Sequence, residues 1–137
     1  MIGSMKQAAC ALAVPALLLS ATPVEAAPFA SGNVVVYRVG GSANPTTPGA
    51  SALLSSGNPV FLDEYTPAGV WVQSVAMPTA ASGSSKALFA SNGSTNAGTE
   101  GLLTRSANTL CLVVPGYAST SSQATRVVAR VSAAGTV

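Results

Sequence analysis

The sequence contains no histidine, and only 7% of its 137 residues are charged, against roughly 25% in an ordinary soluble domain. Without His, the commonest general base and metal ligand is missing. Two cysteines are too few for a structural zinc site. Six Lys and Arg against four Asp and Glu leave a net charge of +2. No basic cluster accompanies it, so nucleic acid is not an expected partner. Aromatic residues are scarce at 5%. What remains is aliphatic residues with Ala, Ser, Thr and Gly, in a length that suits one domain.

The N-terminus reads as an export signal. Met1–Gln7 is polar and carries Lys6 as its only charge. Ala8–Ser20 follows as an uncharged apolar run, shorter than the about 20 residues that span a bilayer and of the length of a signal core. Val24-Glu25-Ala26 places small residues at the two positions that a signal peptidase inspects. Cleavage after Ala26 is expected, since a cut one residue later would put Pro28 first. Pro15 and Pro23 count against a buried helix here. Met5-Lys6 offers an alternative start. Cys10 lies ahead of the leucine run, so it is no lipid acceptor and leaves with the signal. No membrane span remains after cleavage, and the expected location is secreted, periplasmic or cell-surface. The mature chain keeps one cysteine, Cys111, which excludes an internal disulfide. In Thr109–Val114 it reads as a small apolar strand residue, with no His to make it a nucleophile.

From Ala27 onward the pattern predicts strands. β-branched runs alternate with Gly, Pro, Asn and Ser clusters, and no window shows a helical period. Strands are expected at Asn33–Val39, Val60–Tyr65, Val70–Ala76, Lys86–Ala90, Gly101–Thr104, Thr109–Val114 and Arg126–Val131. Thr66-Pro67-Ala68-Gly69 is a turn, with Pro preset for its second position and Gly free to take positive φ. Strict alternation would put Val70, Val72 and Ser74 on one face and Trp71, Gln73 and Val75 on the other. Pro115-Gly116 is read as a strand breaker. Ser91–Thr99 and Ala118–Ala124 are read as loops.

A weak repeat is visible. Tyr65-Thr66-Pro67-Ala68-Gly69-Val70-Trp71-Val72 and Val131-Ser132-Ala133-Ala134-Gly135-Thr136-Val137 match as strand end, turn and return, with Gly69 and Gly135 66 residues apart. Strands joined in sequence by tight turns follow the plan of a β-propeller blade, and a small β-sandwich is the competing architecture. The second turn predicts a returning strand, of which only Thr136-Val137 is present. The domain 27–137 is therefore expected to be part of a longer protein, amounting to about one and a half to two blade-like units.

Phe29–Gly40 and Pro59–Gly69, together with Glu100–Ser106, Pro115-Gly116-Tyr117 and Arg126–Val131, resemble the mature N-terminus of a family of uncharacterised secreted bacterial proteins that look like β-propellers. The resemblance covers nearly all of the mature chain, and the stretch VFLDEYTPAG is its most specific part. Family members are several times longer, which implies that this chain is an N-terminal portion. Asn108-Thr109-Leu110-Cys111 departs from the Asp-Gly turn that such repeats carry. The family has no established catalytic residues, so the resemblance assigns none.

The residues themselves suggest little catalysis. Asp63 and Glu64 are adjacent on a strand, so they point to opposite faces and cannot form an acid/base dyad; solvated charges beside a hairpin turn are expected. Three acids in the mature chain are too few for a calcium site. No Gly-x-Ser-x-Gly elbow activates a serine. Asn92-Gly93-Ser94 reads as turn chemistry. Tyr65 and Trp71 flank the turn and are the candidate ligand contacts, for a stacked sugar, although the pattern places Trp71 in the core with Val75. Arg126 and Arg130 share a strand face and would guard an exposed edge. The expectation is a non-enzymatic exported scaffold or binding fragment of a larger propeller-like protein, without catalytic residues, cofactor or metal. Its expected partners are further C-terminal blades or a cell-surface ligand, and alone it is expected to self-associate. The alternatives are a carbohydrate-binding or adhesin module and a fragment of a secreted hydrolase.

Overall fold

The structure of the chain, a computed structural model, describes residues 26–41, 53–54, 57–90, 102–120 and 125–137. The signal segment up to Glu25, Cys10, Asn92-Gly93-Ser94, Glu100 and Gly101 lie outside the described residues.

Among the described residues there are seven strands and no helix: β1 Val34–Val39, β2 Asn58–Tyr65, β3 Trp71–Ala76, β4 Phe89–Ala90, β5 Thr104–Arg105, β6 Cys111–Tyr117 and β7 Arg126–Ser132. Every pairing is antiparallel. The path runs β1-β2-β4-β6-β5, with β3 added to β2 and β7 added to β6. β2 thus lies between β1 and β3, and β6 between β7 and β5. The short β4 joins the two groups into one sheet, pairing the start of β2 and the end of β6.

Both groups feed one core. Val60, Leu62, Val75, Met77, Leu88, Ala90, Val114 and Val131 are buried together, with Val35, Tyr37, Leu112, Val127 and Ala129 packed against them. The β1, β2, β6 and β7 contributions recur every second residue, as expected when one sheet face is apolar. Tyr37 Oη on β1 reaches the carbonyl of Pro115 on β6 at 3.5 Å, although the two strands are not sheet neighbours.

The two turns that match in sequence also match in bonding. Thr66 N–H donates to Val70 O at 2.9 Å, Gly69 N–H to Thr66 O at 2.8 Å, and Val70 N–H to Thr66 Oγ1 at 3.2 Å. Ser132 N–H donates to Thr136 O at 2.9 Å, Gly135 N–H to Ser132 O at 2.9 Å, and Thr136 N–H to Ser132 Oγ at 3.2 Å. Gly69 and Gly135 both sit at φ 79°, a left-handed conformation that glycine takes without steric cost. The Ser106 turn is a longer relative: Ser106 N–H donates to Cys111 O and Cys111 N–H to Ser106 Oγ, with Thr109 held at φ 59° where the other turns have glycine. Asn108 Oδ1 supports it by accepting from Leu110 N–H at 3.3 Å and from Ser106 Oγ at 2.7 Å.

Pro115-Gly116 does not break β6, contrary to the sequence expectation. The strand continues to Tyr117, paired with β7 throughout. Proline survives there because of its position. Ala118 N–H bonds Thr125 O, so even-numbered residues of β6 face β7 and Pro115 faces away, by the alternation of an antiparallel ladder. On that side β5 pairs Leu112 and Val113 and β4 pairs Tyr117, leaving Pro115 between them with no ladder bond to lose. Gly116 is required by packing: a Cβ there would lie 2.7 Å from Leu88 Cγ and 2.8 Å from Phe89 O.

Candidate functional site

β2 carries its two acids in mid-sheet, and each face of the sheet takes one. Asp63 pairs with Val36 and Ser74, and Glu64 with Val35 and Gln73. They do point to opposite faces, but they are not solvated. Asp63 is 1% exposed and Glu64 0%, which corrects the expectation of charges flanking the turn. Neighbouring strands and, for Glu64, the segment before β1, not the turn, decide their environment.

Asp63 is held on the outer face. Arg38 grips it through a two-point fork, Nε to Oδ2 and Nη2 to Oδ1 at 3.1 Å, the strong geometry for Arg and carboxylate. Arg38 Nη1 donates to Gly40 O at 2.7 Å. Its guanidinium lies 4.4 Å from the centre of the Phe61 ring, its cross-strand neighbour. Ser74 Oγ donates to Asp63 Oδ1 at 2.6 Å and accepts from Trp71 Nε1 at 3.2 Å.

That last bond requires Trp71 to share a face with Ser74, which strict alternation forbids. A bulge resolves it. Glu64 pairs with Gln73, but Tyr65 pairs with Trp71, leaving Val72 without a partner. The extra residue turns the strand by one position. Trp71 therefore leaves the side of Gln73 and Val75 and lies on the outer face as a half-buried residue, directly opposite Tyr65. The core position given to Trp71 by the sequence pattern is thus corrected. The structure brings the two candidate ligand contacts, Tyr65 and Trp71, together as cross-strand neighbours. Val34 and Val36, 54% and 44% exposed, occupy the same face on β1.

Glu64 is held on the opposite face. Oε1 accepts from Ala30 N–H at 2.7 Å and Asn33 Nδ2 at 2.8 Å, and Oε2 accepts from Gln73 Nε2 at 2.7 Å. Burial pushes its carboxyl pKa up, but the hydrogen bonds from Gln73, Ala30 and Asn33 outweigh it and hold the pKa below the ordinary value.

Neither carboxylate offers a free face to a substrate, and no group of metal-binding side chains occurs among the described residues. Cys111 is half-buried in β6 as a free thiol. What the outer face offers is an aromatic pair beside a fixed line of polar groups, Trp71–Ser74–Asp63–Arg38. Sequence reasoning missed Arg38, Ser74 and the donors to Glu64. A lone arginine inside the apolar run VVVYRV was the available signal for the first. The bulge left no comparable mark.

No family model, no curated protein and no solved structure matches this chain.

Proposed function

We propose that this chain is an exported, non-enzymatic β-scaffold that acts by binding, and that it forms the N-terminal part of a propeller-like array of strand–turn–strand units. The observation carrying this reading is the pair of turns at Thr66 and Ser132, which share three hydrogen bonds and the same glycine conformation. After the first turn the chain returns as β3 along β2. After the second it starts back along β7, whose far edge has no strand on it among the described residues. Because Ala118 N–H bonds Thr125 O, the backbone N–H and C=O groups of Arg126, Val128 and Arg130 face that edge. A returning strand would satisfy them as β3 satisfies β2. The use of both described acids as acceptors within the sheet favours a structural role over an acid/base one. The test is the complete reading frame: further strand–turn–strand units at the spacing of Gly69 and Gly135 support the array, and an unrelated domain directly after Val137 contradicts it.

A second reading is favoured by the bulge at Val72. It sets Tyr65 and Trp71 side by side on an accessible face next to polar groups, the combination on which a sugar ring stacks. A glycan array of wild-type chain against Trp71→Ala tests it. Binding that disappears in the variant supports a carbohydrate module, and no binding by wild type removes it.

A further inference from the structure

The residue at which export processing is expected to leave a new amino terminus is clamped by the fold from both sides of its peptide unit. Ala27 N–H donates to Gln73 Oε1 at 3.1 Å, and Gln73 Nε2 donates back to Ala27 O at 2.9 Å. The same Nε2 donates to Glu64 Oε2, so one side-chain amide links Ala27 to a buried carboxylate. The clamp continues along the segment. Phe29 N–H bonds Ala133 O at 2.9 Å, Ala30 N–H bonds Glu64 Oε1, and Asn33 Nδ2 bonds the same oxygen. Residues 27–33 are thereby tied to β2, β3 and the Ser132 turn at once.

We propose that Gln73 and Glu64 form a docking site for the processed amino terminus. Water adds across the Ala26–Ala27 bond, Ala26 departs with the new carboxylate, and Ala27 keeps the amino group, which is protonated near neutral pH. The amide N–H that bonds Gln73 Oε1 becomes an ammonium N–H in the same place, a stronger charge-assisted donor. Gln73 is suited to this because its oxygen accepts from the terminus while its nitrogen is oriented by Glu64 and the Ala27 carbonyl. Glu64 acts through Gln73 and is a positioning residue. The docked segment also holds the scissile bond against the folded domain, so the peptidase must act before residues 27–33 settle. A folded precursor is then a poor substrate.

The inference rests on cleavage after Ala26, and the experiment separates the two. The full chain is expressed in an exporting bacterium, and the exported protein's amino terminus is identified by mass. A start other than Ala27 overturns the cleavage reading. Given a start at Ala27, the α-amino group is acylated with a limiting amine reagent, folded and in urea, for wild type and for Gln73→Ala. Docking is expected to slow the folded wild-type reaction by about fivefold relative to Gln73→Ala, the factor that one net hydrogen bond confers. The comparison of folded with urea-unfolded wild type needs no variant and shows the same direction. Equal rates in folded and unfolded wild type overturn the docking while leaving the cleavage in place.

Discussion

Trp71 donates its indole N–H to Ser74 Oγ at 3.2 Å, a contact that exists because Val72 is left out of the ladder between β2 and β3. Ser74 passes the interaction on to Asp63, and Asp63 to Arg38. Removing the serine hydroxyl deprives both neighbours. Ser74→Ala is expected to cost about 1–2 kcal/mol, read as a lower urea midpoint. The chain has one tryptophan, so its emission reports this site directly and is expected to change in Ser74→Ala.

The Arg38–Asp63 pair is expected to behave as a partly buried ion pair. Arg38→Met leaves Asp63 buried with one of its oxygens unpartnered, and the expected loss is about 3 kcal/mol. The double variant Arg38→Met with Asp63→Leu removes both charges and is expected to recover most of it. Urea unfolding of the single and double variants decides the matter; additive losses would show that the pair is not coupled.

Glu64 makes stability depend on acid. Its folded pKa lies below its ordinary value, so the unfolded chain binds the proton more readily. Its contribution is complete above the unfolded value of about 4.3 and is lost as pH falls through the lower folded value. The urea midpoint of wild type is expected to start falling as pH drops towards about 4.3 and to go on falling through the lower folded value. Glu64→Gln is expected to be less stable at neutral pH and to show a flatter acid slope.

The two matching turns allow a comparison at constant backbone conformation. Gly69 and Gly135 share φ 79°, but a Cβ on Gly69 meets open space, whereas one on Gly135 lies 2.8 Å from Ala26 Cβ and 3.0 Å from Ala27 O. Gly69→Ala is expected to cost about 1 kcal/mol from the left-handed conformation alone. Gly135→Ala is expected to cost more, and removal of Ala26 by processing narrows the difference. Thermal melts of both variants provide the check.

The five longer strands and the turns were legible in the sequence because their signals are local, whereas the strands expected at Lys86–Ala90 and Gly101–Thr104 form only as the short pairs Phe89–Ala90 and Thr104–Arg105. Asn33–Val39 and the TPAG turn are announced by β-branched runs beside a Gly or Pro, and Arg126–Val131 by a Val-rich run between Ser, Thr and Ala clusters. β6 was misjudged at Pro115 because proline's cost depends on whether its nitrogen faces a neighbour, which is a property of the assembled sheet. The burial of Asp63 and Glu64 was invisible for a similar reason. Their partners lie on neighbouring strands and, for Glu64, in the segment before β1, up to 34 residues away in the chain. Tyr65 and Trp71 could be picked out as residues flanking a turn, but their shared face depends on one unpaired valine.

The edge of β7 tests the scaffold account most directly. In the protein encoded by the complete reading frame, amide hydrogen exchange at Arg126, Val128 and Arg130 measures whether a strand lies there. The account expects all three amides to be protected and to lose protection when the chain is cut at Val137. Rapid exchange at these residues in the complete protein would contradict it.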